Sequence, residues 1–236
     1  MLLSASAHAA PPQVEELALR LEGQTISALW MRPAEARALL VLAHGATMNM
    51  RDPFMESLSL ALAQHGIATL RFNFPYAEAG RSQPDGPPLM QEALRAAVAE
   101  GARRRGSLPL LVGGKSLGAL AAVRGAVRGL PPAQGLVILG FPLHMAGRPS
   151  ALNARALEAV PLPMLFLQGS RDPLADLPLM RGVVEKIGPR ASLYVVEGAD
   201  HQYARSEGEA APPAVIEGLA GAIAKFAATL GATAGG

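Results

Sequence analysis

Cysteine is absent from all 236 residues, which excludes disulfides, thiol nucleophiles and Cys-bound zinc together. Aromatic side chains make up only 4% of the chain, so the core must be built mainly from Ala, Leu and Val. An excess of one charge is lacking too: 21 Lys and Arg face 19 Asp and Glu, a formal net charge of +2. No cationic run exceeds Arg103-Arg104-Arg105, which falls at a predicted helix end, where cations suit the helix dipole. That leaves no footprint for nucleic acid. No uninterrupted apolar run has the length of a membrane span. The first ten residues are apolar and rich in small side chains, and Ala7-His8-Ala9 resembles a cleavage site. They lack the positive n-region and full h-region of a signal peptide. Residues 1–12 are therefore expected to be disordered, 232–236 to be a flexible tail, and the location to be cytoplasmic.

What is present is an alternation of strand and helix. Half the residues are hydrophobic, enough at this length for one α/β domain, placed at 13–231. Val14–Glu22 and Thr25–Met31 read as two strands joined by a hairpin turn at Glu22-Gly23-Gln24. Ala38–Ala43 is continuously apolar, as a strand buried on both faces requires. Further strands are predicted at Ile67–Phe74, Leu108–Val112, Leu136–Leu139, Met164–Gln168 and Ser192–Val196. Helices are predicted from Asp52-Pro53 to His65, over Leu89–Arg105, Leu117–Gly129, Ser150–Ala159 and Leu174–Ile187 (broken near Pro178), and over Pro213–Leu230. Tyr76–Pro88, rich in Gly and Pro, is expected to be a surface loop. The sum is a mostly parallel sheet with an N-terminal antiparallel hairpin and helices on both faces. In such a sheet, ligands bind beyond the carboxyl ends of the strands.

The chemistry concentrates at Gly114-Lys115-Ser116-Leu117-Gly118, where an apolar run meets an Ala-rich helical segment. This is G-x-S-x-G in a strand–turn–helix setting, a nucleophile elbow. Two glycines leave room for a turn that a Cβ would obstruct, and the following N–H sits at a helix N-terminus. The letters G-K-S also suggest a phosphate-binding loop, but that motif needs glycine where Pro109 stands. The next strand also ends without an acidic residue for Mg²⁺.

A serine hydroxyl needs a base, and the base needs a carboxylate to orient it. Of the five histidines, His8 lies in the N-terminal segment and His65 closes a helix. His201, just after the last strand, is the expected base. The carboxylate should follow a strand between Ser116 and His201. Asp172, in Gly169-Ser170-Arg171-Asp172-Pro173, fits that place; it would otherwise cap the next helix, and Asp176 is the alternative acid. Asp200 adjoins the histidine and is discounted. The tetrahedral intermediate needs two donors, assigned to the backbone N–H groups of Leu117 and Ala46. His44 would then brace its loop through hydrogen bonds. A metal site of His44, His144 and a carboxylate lacks any helical His-x-x-x-His spacing, so neither metal nor cofactor is expected.

These blocks resemble the α/β-hydrolase superfamily from about Leu17 to Leu230. The likeness is closer to the small, lidless, dienelactone-hydrolase-like branch, in the group of testis-expressed protein 30 and its bacterial relatives. It is carried by Ala43-His44-Gly45-Ala46, Arg71-Phe72-Asn73-Phe74-Pro75-Tyr76, Gly113-Gly114-Lys115-Ser116-Leu117-Gly118, Gly140-Phe141-Pro142-Leu143-His144, Gln168-Gly169-Ser170-Arg171-Asp172-Pro173 and Asp200-His201. The resemblance implies Ser116 as nucleophile, Asp172 as acid and His201 as base. Dienelactone hydrolases carry a cysteine nucleophile, so their substrate chemistry does not transfer.

About twenty residues separate Phe141 from Met164, too few for a multi-helix cap. An open site is expected, with His44, Met48, Phe74, Tyr76, Leu143, His144 and Met145 as candidates for the substrate pocket. Arg71 and Arg81 are candidates to hold an anionic group or are ordinary loop arginines. Lys115 either lowers local pKa values or pairs with a carboxylate. The expected activity is hydrolysis of a carboxylic ester, thioester or small amide, with a small acyl molecule as the partner. The alternatives are a non-catalytic interaction module and acyl transfer or perhydrolysis on the same three residues.

Overall fold

All six residues of ALLVLA, β3 (Ala38–Ala43), are buried. That is possible only for a strand inside a sheet covered on both faces. The computed structural model of the chain describes residues 12–130, 132–206 and 208–232. All but one residue of each tail expected from the sequence lies outside that range, as does His8.

Seven further strands accompany β3: β1 (Val14–Leu21), β2 (Gln24–Met31), β4 (Ile67–Phe72), β5 (Leu110–Lys115), β6 (Gly135–Leu139), β7 (Met164–Gly169) and β8 (Ala191–Val196). They form one sheet in the order β1-β2-β4-β3-β5-β6-β7-β8. The β1–β2 hairpin and the β2–β4 pair are antiparallel, and all other pairs are parallel. The parallel register brings the carboxyl ends level: Ala43 pairs with Phe72 and Gly114, Lys115 with Leu139, and Gly169 with Val196. The loops that follow these strands therefore converge on one edge.

Side-chain alternation divides the core in two. Leu39 and Val41 face one cluster with Leu94 and Val98 of α3 (Pro87–Arg104), Ala119 and Ala122 of α4 (Leu117–Val127), Leu157 of α5 (Arg155–Glu158) and Met180 of α6 (Leu177–Ile187). Leu40 and Leu42 face the other, with Met55 and Leu58 of α1 (Pro53–Gln64) and Leu219 and Ile223 of α7 (Pro213–Ala232).

Local differences from the sequence reading have simple causes. Part of the expected Tyr76–Pro88 loop is helical: α2 covers Pro75–Glu78 and α3 begins at Pro87. In both, proline stands in the first turn, where its missing N–H costs nothing. Pro178 likewise does not break α6 but lies in its first turn. By length and mean hydropathy (1.3 over Pro213–Leu230), α7 resembles a membrane span. Its residues Leu219, Ala220 and Ile223 are instead buried against α1 and the sheet, as in a core helix.

Candidate active site

Ser116 occupies the one-residue gap between β5 and α4, with φ 53° and ψ −111°. This backbone conformation is unfavourable for any residue with a Cβ. The neighbouring glycines make it attainable. A Cβ on Gly114 would stand 2.5 Å from the Gly118 carbonyl carbon, and one on Gly118 would stand 2.5 Å from the Ala43 oxygen. Helix α4 can therefore press against β3 and β5, and the chain reverses sharply. Ser116 N–H donates to Leu139 O at 2.9 Å, tying the turn to β6 while the residue stays part-exposed.

His201 and Asp172 come from the turns after β8 and β7. His201 Nε2 lies 3.0 Å from Ser116 Oγ. Its Nδ1 lies 2.7 Å from Asp172 Oδ2, whose side chain is fully buried. A carboxylate can only accept, so the proton sits on Nδ1 and Nε2 is free to accept from the serine hydroxyl. Backbone bonds stitch the two turns together: Ser170 N–H donates to Val196 O (3.1 Å) and Arg171 N–H to Ala199 O (2.9 Å). The approach is so close that a Cβ on Gly169 would be 2.5 Å from two backbone oxygens, those of Ala199 and Asp200.

The other acids are occupied elsewhere. Asp176, not Asp172, caps α6, accepting from Leu179 N–H at 3.0 Å. Asp200 Oδ1 accepts from Gln202 N–H (2.8 Å) and Ala204 N–H (2.9 Å), shaping the histidine turn. Asp172 Oδ1 accepts from Leu174 N–H at 2.8 Å. Its Oδ2 also receives Gln168 Nε2 at 2.5 Å, a partner the sequence reading gave no role. A polar residue near the end of an otherwise apolar strand was the signal that could have found it.

The loop after β3 is held from below. His44 is buried, and its Nε2 accepts from Phe74 N–H at 3.0 Å. That fixes the proton on Nδ1, which donates to Gly45 O at 2.8 Å. Burial lowers the His44 pKa to about 4, so the ring is neutral at ordinary pH. Gly45 O also accepts from Met48 N–H at 3.2 Å and shares the Tyr76 hydroxyl proton, at 3.1 Å, with Ala46 O at 3.0 Å. In a trans peptide the C=O and the next N–H point oppositely. Three donors on the Gly45 carbonyl thus turn the Ala46 N–H away from them. Among the described residues, neither the Ala46 nor the Leu117 N–H has an internal acceptor.

The expected pocket residues divide. Phe74, Tyr76 and Leu143 are fully enclosed, and His44 with them, because they pack the core beneath the site. His144, also buried, donates from Nδ1 to Met145 O (2.9 Å) and accepts Asp176 N–H at Nε2 (2.8 Å). These side chains back the site and do not line it. Met145 is 73% exposed. Met48 lines a cleft of about 290 Å³ with Phe54, Gln202, Ala211 and Ile216. Arg71 is neither an anion clamp nor a solvated loop arginine: it is buried, and its Nη1 donates to Met50 O at 2.9 Å. Arg81 pairs with Asp85 at 2.6 Å. The His44 and His144 imidazoles are committed to backbone groups and His65 Nε2 pairs with Glu217 at 2.6 Å, and among the described residues no three ligating side chains cluster for a metal.

A family model described as an alpha/beta hydrolase domain matches residues 36–228. Among solved structures, the chain is similar to a dienelactone hydrolase from Anabaena variabilis at 20% identity, with a TM-score of 0.72, covering 92% of this chain and 97% of that one. It is similar to a serine hydrolase without lid from Xanthomonas campestris at 20% identity and a TM-score of 0.70, covering 91% and 95%. It is also similar to the esterase domain of a Rhodothermus marinus protein at 17% identity and a TM-score of 0.68, covering 91% and 98%. At these identities the likeness speaks for the shared fold.

Proposed function

The chain belongs to the alpha/beta hydrolase domain family, and from that premise we propose that it is an esterase-like hydrolase that cleaves a carboxylic ester, thioester or small amide through an acyl-enzyme on Ser116. The reading rests on the hydrogen-bonded series Ser116–His201–Asp172, at 3.0 and 2.7 Å.

In the proposed cycle, Ser116 Oγ attacks the carbonyl carbon as its proton passes to His201 Nε2. Asp172 holds the imidazole in the tautomer this requires and stabilises the imidazolium. Negative charge developing on the carbonyl oxygen is met by the Ala46 and Leu117 N–H groups, the latter at the positive end of α4. Collapse expels the alcohol, thiol or amine, which takes the proton from His201. Water, deprotonated by the same histidine, then releases the acid and restores the serine. No cofactor enters any step.

The cleft beside Met48 and Phe54 adjoins Gln202, the neighbour of the base, and suits a short uncharged substituent. Asp52 and Glu209 also line it and oppose an anionic one. The test is labelling by a fluorophosphonate probe together with turnover of a panel of short p-nitrophenyl esters and thioesters. Wild-type protein is expected to be labelled and Ser116→Ala to be inert. A folded wild type that resists the probe and cleaves none of the panel would favour the interaction-module reading.

A further inference from the structure

Lys115 directly precedes the nucleophile, yet its side chain turns to the face covered by α1 and α7, as alternation in β5 dictates. It is 1% exposed. Its Nζ donates to the backbone carbonyl of His201 at 2.7 Å. It lies 5.5 Å from the ring centre of Tyr203 and 5.8 Å from that of Phe54, and those two rings are stacked on each other. Among the described residues no carboxylate lies within ion-pair distance of it. Burying an ammonium without a paired anion is costly, and a Met would fill the same volume. The fold alone therefore gives no reason for a lysine here.

The turn that Lys115 grips is tightly set. Tyr203, two residues beyond the base, has φ 63° and is buried, and its hydroxyl donates to Leu167 O at 2.7 Å. Resting on the hydrolase reading above, we propose that Lys115 is a positioning residue for the base: its charged amine holds the His201 carbonyl, and through that bond keeps the imidazole facing Ser116. A cation on a carbonyl is a stronger tie than a neutral amine, roughly twofold in energy. The cation also gains from the two ring faces, which an uncharged amine does not.

The charge on Lys115 is conditional. Burial pulls its pKa down to about 8, opposed by Asp172 from the turn after β7, Asp200 from the histidine turn and Asp52 from the start of α1. Tyr203, the other titratable group against it, is pushed well above its ordinary range by burial and stays neutral. The base is therefore held most firmly below about pH 8 and loosens above it.

The test is the pH dependence of kcat and KM for a short p-nitrophenyl ester, run on wild type, Lys115→Met and Lys115→Arg. Wild-type kcat should fall on the alkaline side with a midpoint near 8. Lys115→Met should lower kcat about tenfold at neutral pH, leave KM within about twofold, and abolish the alkaline fall. Lys115→Arg, which stays charged, should move that fall upward by at least about one pH unit. A flat wild-type profile across this range, or a Lys115→Met enzyme with wild-type kcat and an unchanged alkaline fall, overturns the assignment. A second readout needs no turnover: the nitrogen NMR shifts of the His201 ring should report the Lys115 titration as an inflection near 8 in wild type, absent from Lys115→Met. Identical His201 titrations in the two proteins overturn the proposal even if no ester is cleaved. A wild type inert to fluorophosphonate overturns the hydrolase reading instead.

Discussion

Gln168 and His201 share one oxygen: the Gln168 amide donates to Asp172 Oδ2 at 2.5 Å, and His201 Nδ1 meets the same atom at 2.7 Å. The other end of the Gln168 amide accepts Phe141 N–H at 3.0 Å. The Asp172 carboxylate is thus aimed by a neutral, fully buried side chain anchored to the end of β6. Gln168→Leu keeps the volume and removes both bonds. Since a hydrogen bond to a charged group is worth about 1.5–3 kcal/mol, kcat should fall by about tenfold to a hundredfold, read by ester turnover. Thermal melts on the same samples should show a folded protein.

Asp172 and Asp176 separate by different measurements. Asp172→Asn should reduce kcat by about 10⁴, as loss of the correct imidazole tautomer does. Asp176→Ala should leave turnover within about twofold and cost about 1 kcal/mol of stability through the lost α6 cap. Parallel kinetics and denaturant unfolding of the two variants check both halves. A large kinetic loss confined to Asp176→Ala would reverse the assignment.

Tyr76→Phe probes the donor loop without touching the reacting groups. Its hydroxyl reaches Gly45 O at 3.1 Å and Ala46 O at 3.0 Å, and burial raises its pKa to about 12, so it remains a neutral donor. Without it the Gly45 peptide is held by His44 and Met48 alone. The expected result is a kcat lower by about tenfold with KM little changed, the pattern of an interaction that matters in the transition state.

His44 should make the protein acid-sensitive. Its pKa falls from 6.5 to about 4 on folding because burial disfavours the charged ring. Between those values the unfolded chain holds a proton that the folded chain does not, so stability rises with pH across that window. It is lost as pH drops from 6.5 toward 4, by about 3 kcal/mol at about 1.36 kcal/mol per unit. His44→Asn, whose amide nitrogen takes the place of Nδ1, should be less stable at neutral pH but flatter across this range. Urea unfolding at a series of pH values measures the slope.

Much of this was legible in the chain. Continuous apolar runs such as Ala38–Ala43 announce buried strands, and Gly114 with Gly118 announces a close turn, because each pattern has one physical use. The spacing of Ser116, Asp172 and His201 along alternating elements placed all three at one sheet edge, where the structure brings them within hydrogen-bonding distance. The pocket was not legible. Phe74, Tyr76 and Leu143 follow strand ends as lining residues do, but an aromatic or leucine at that place packs inward as readily as outward. Only the tertiary fold reveals which, and it buries all three. Lys115 was opaque for a similar reason: its partner is a backbone carbonyl 86 residues away, and backbone atoms leave no mark in the sequence. Prolines in the first turn of α2, α3 and α6 were ambiguous, since the same residue that opens a helix elsewhere breaks one.

The dihedral angles of Ser116 carry a cost in stability. A chain free to relax would choose glycine at that corner, where no Cβ resists the twist. Keeping a hydroxymethyl group there makes the fold somewhat less robust than an inert version of itself. Ser116→Gly should therefore relieve the corner and keep the fold while removing the hydroxyl, so the strain serves the side chain and not the turn.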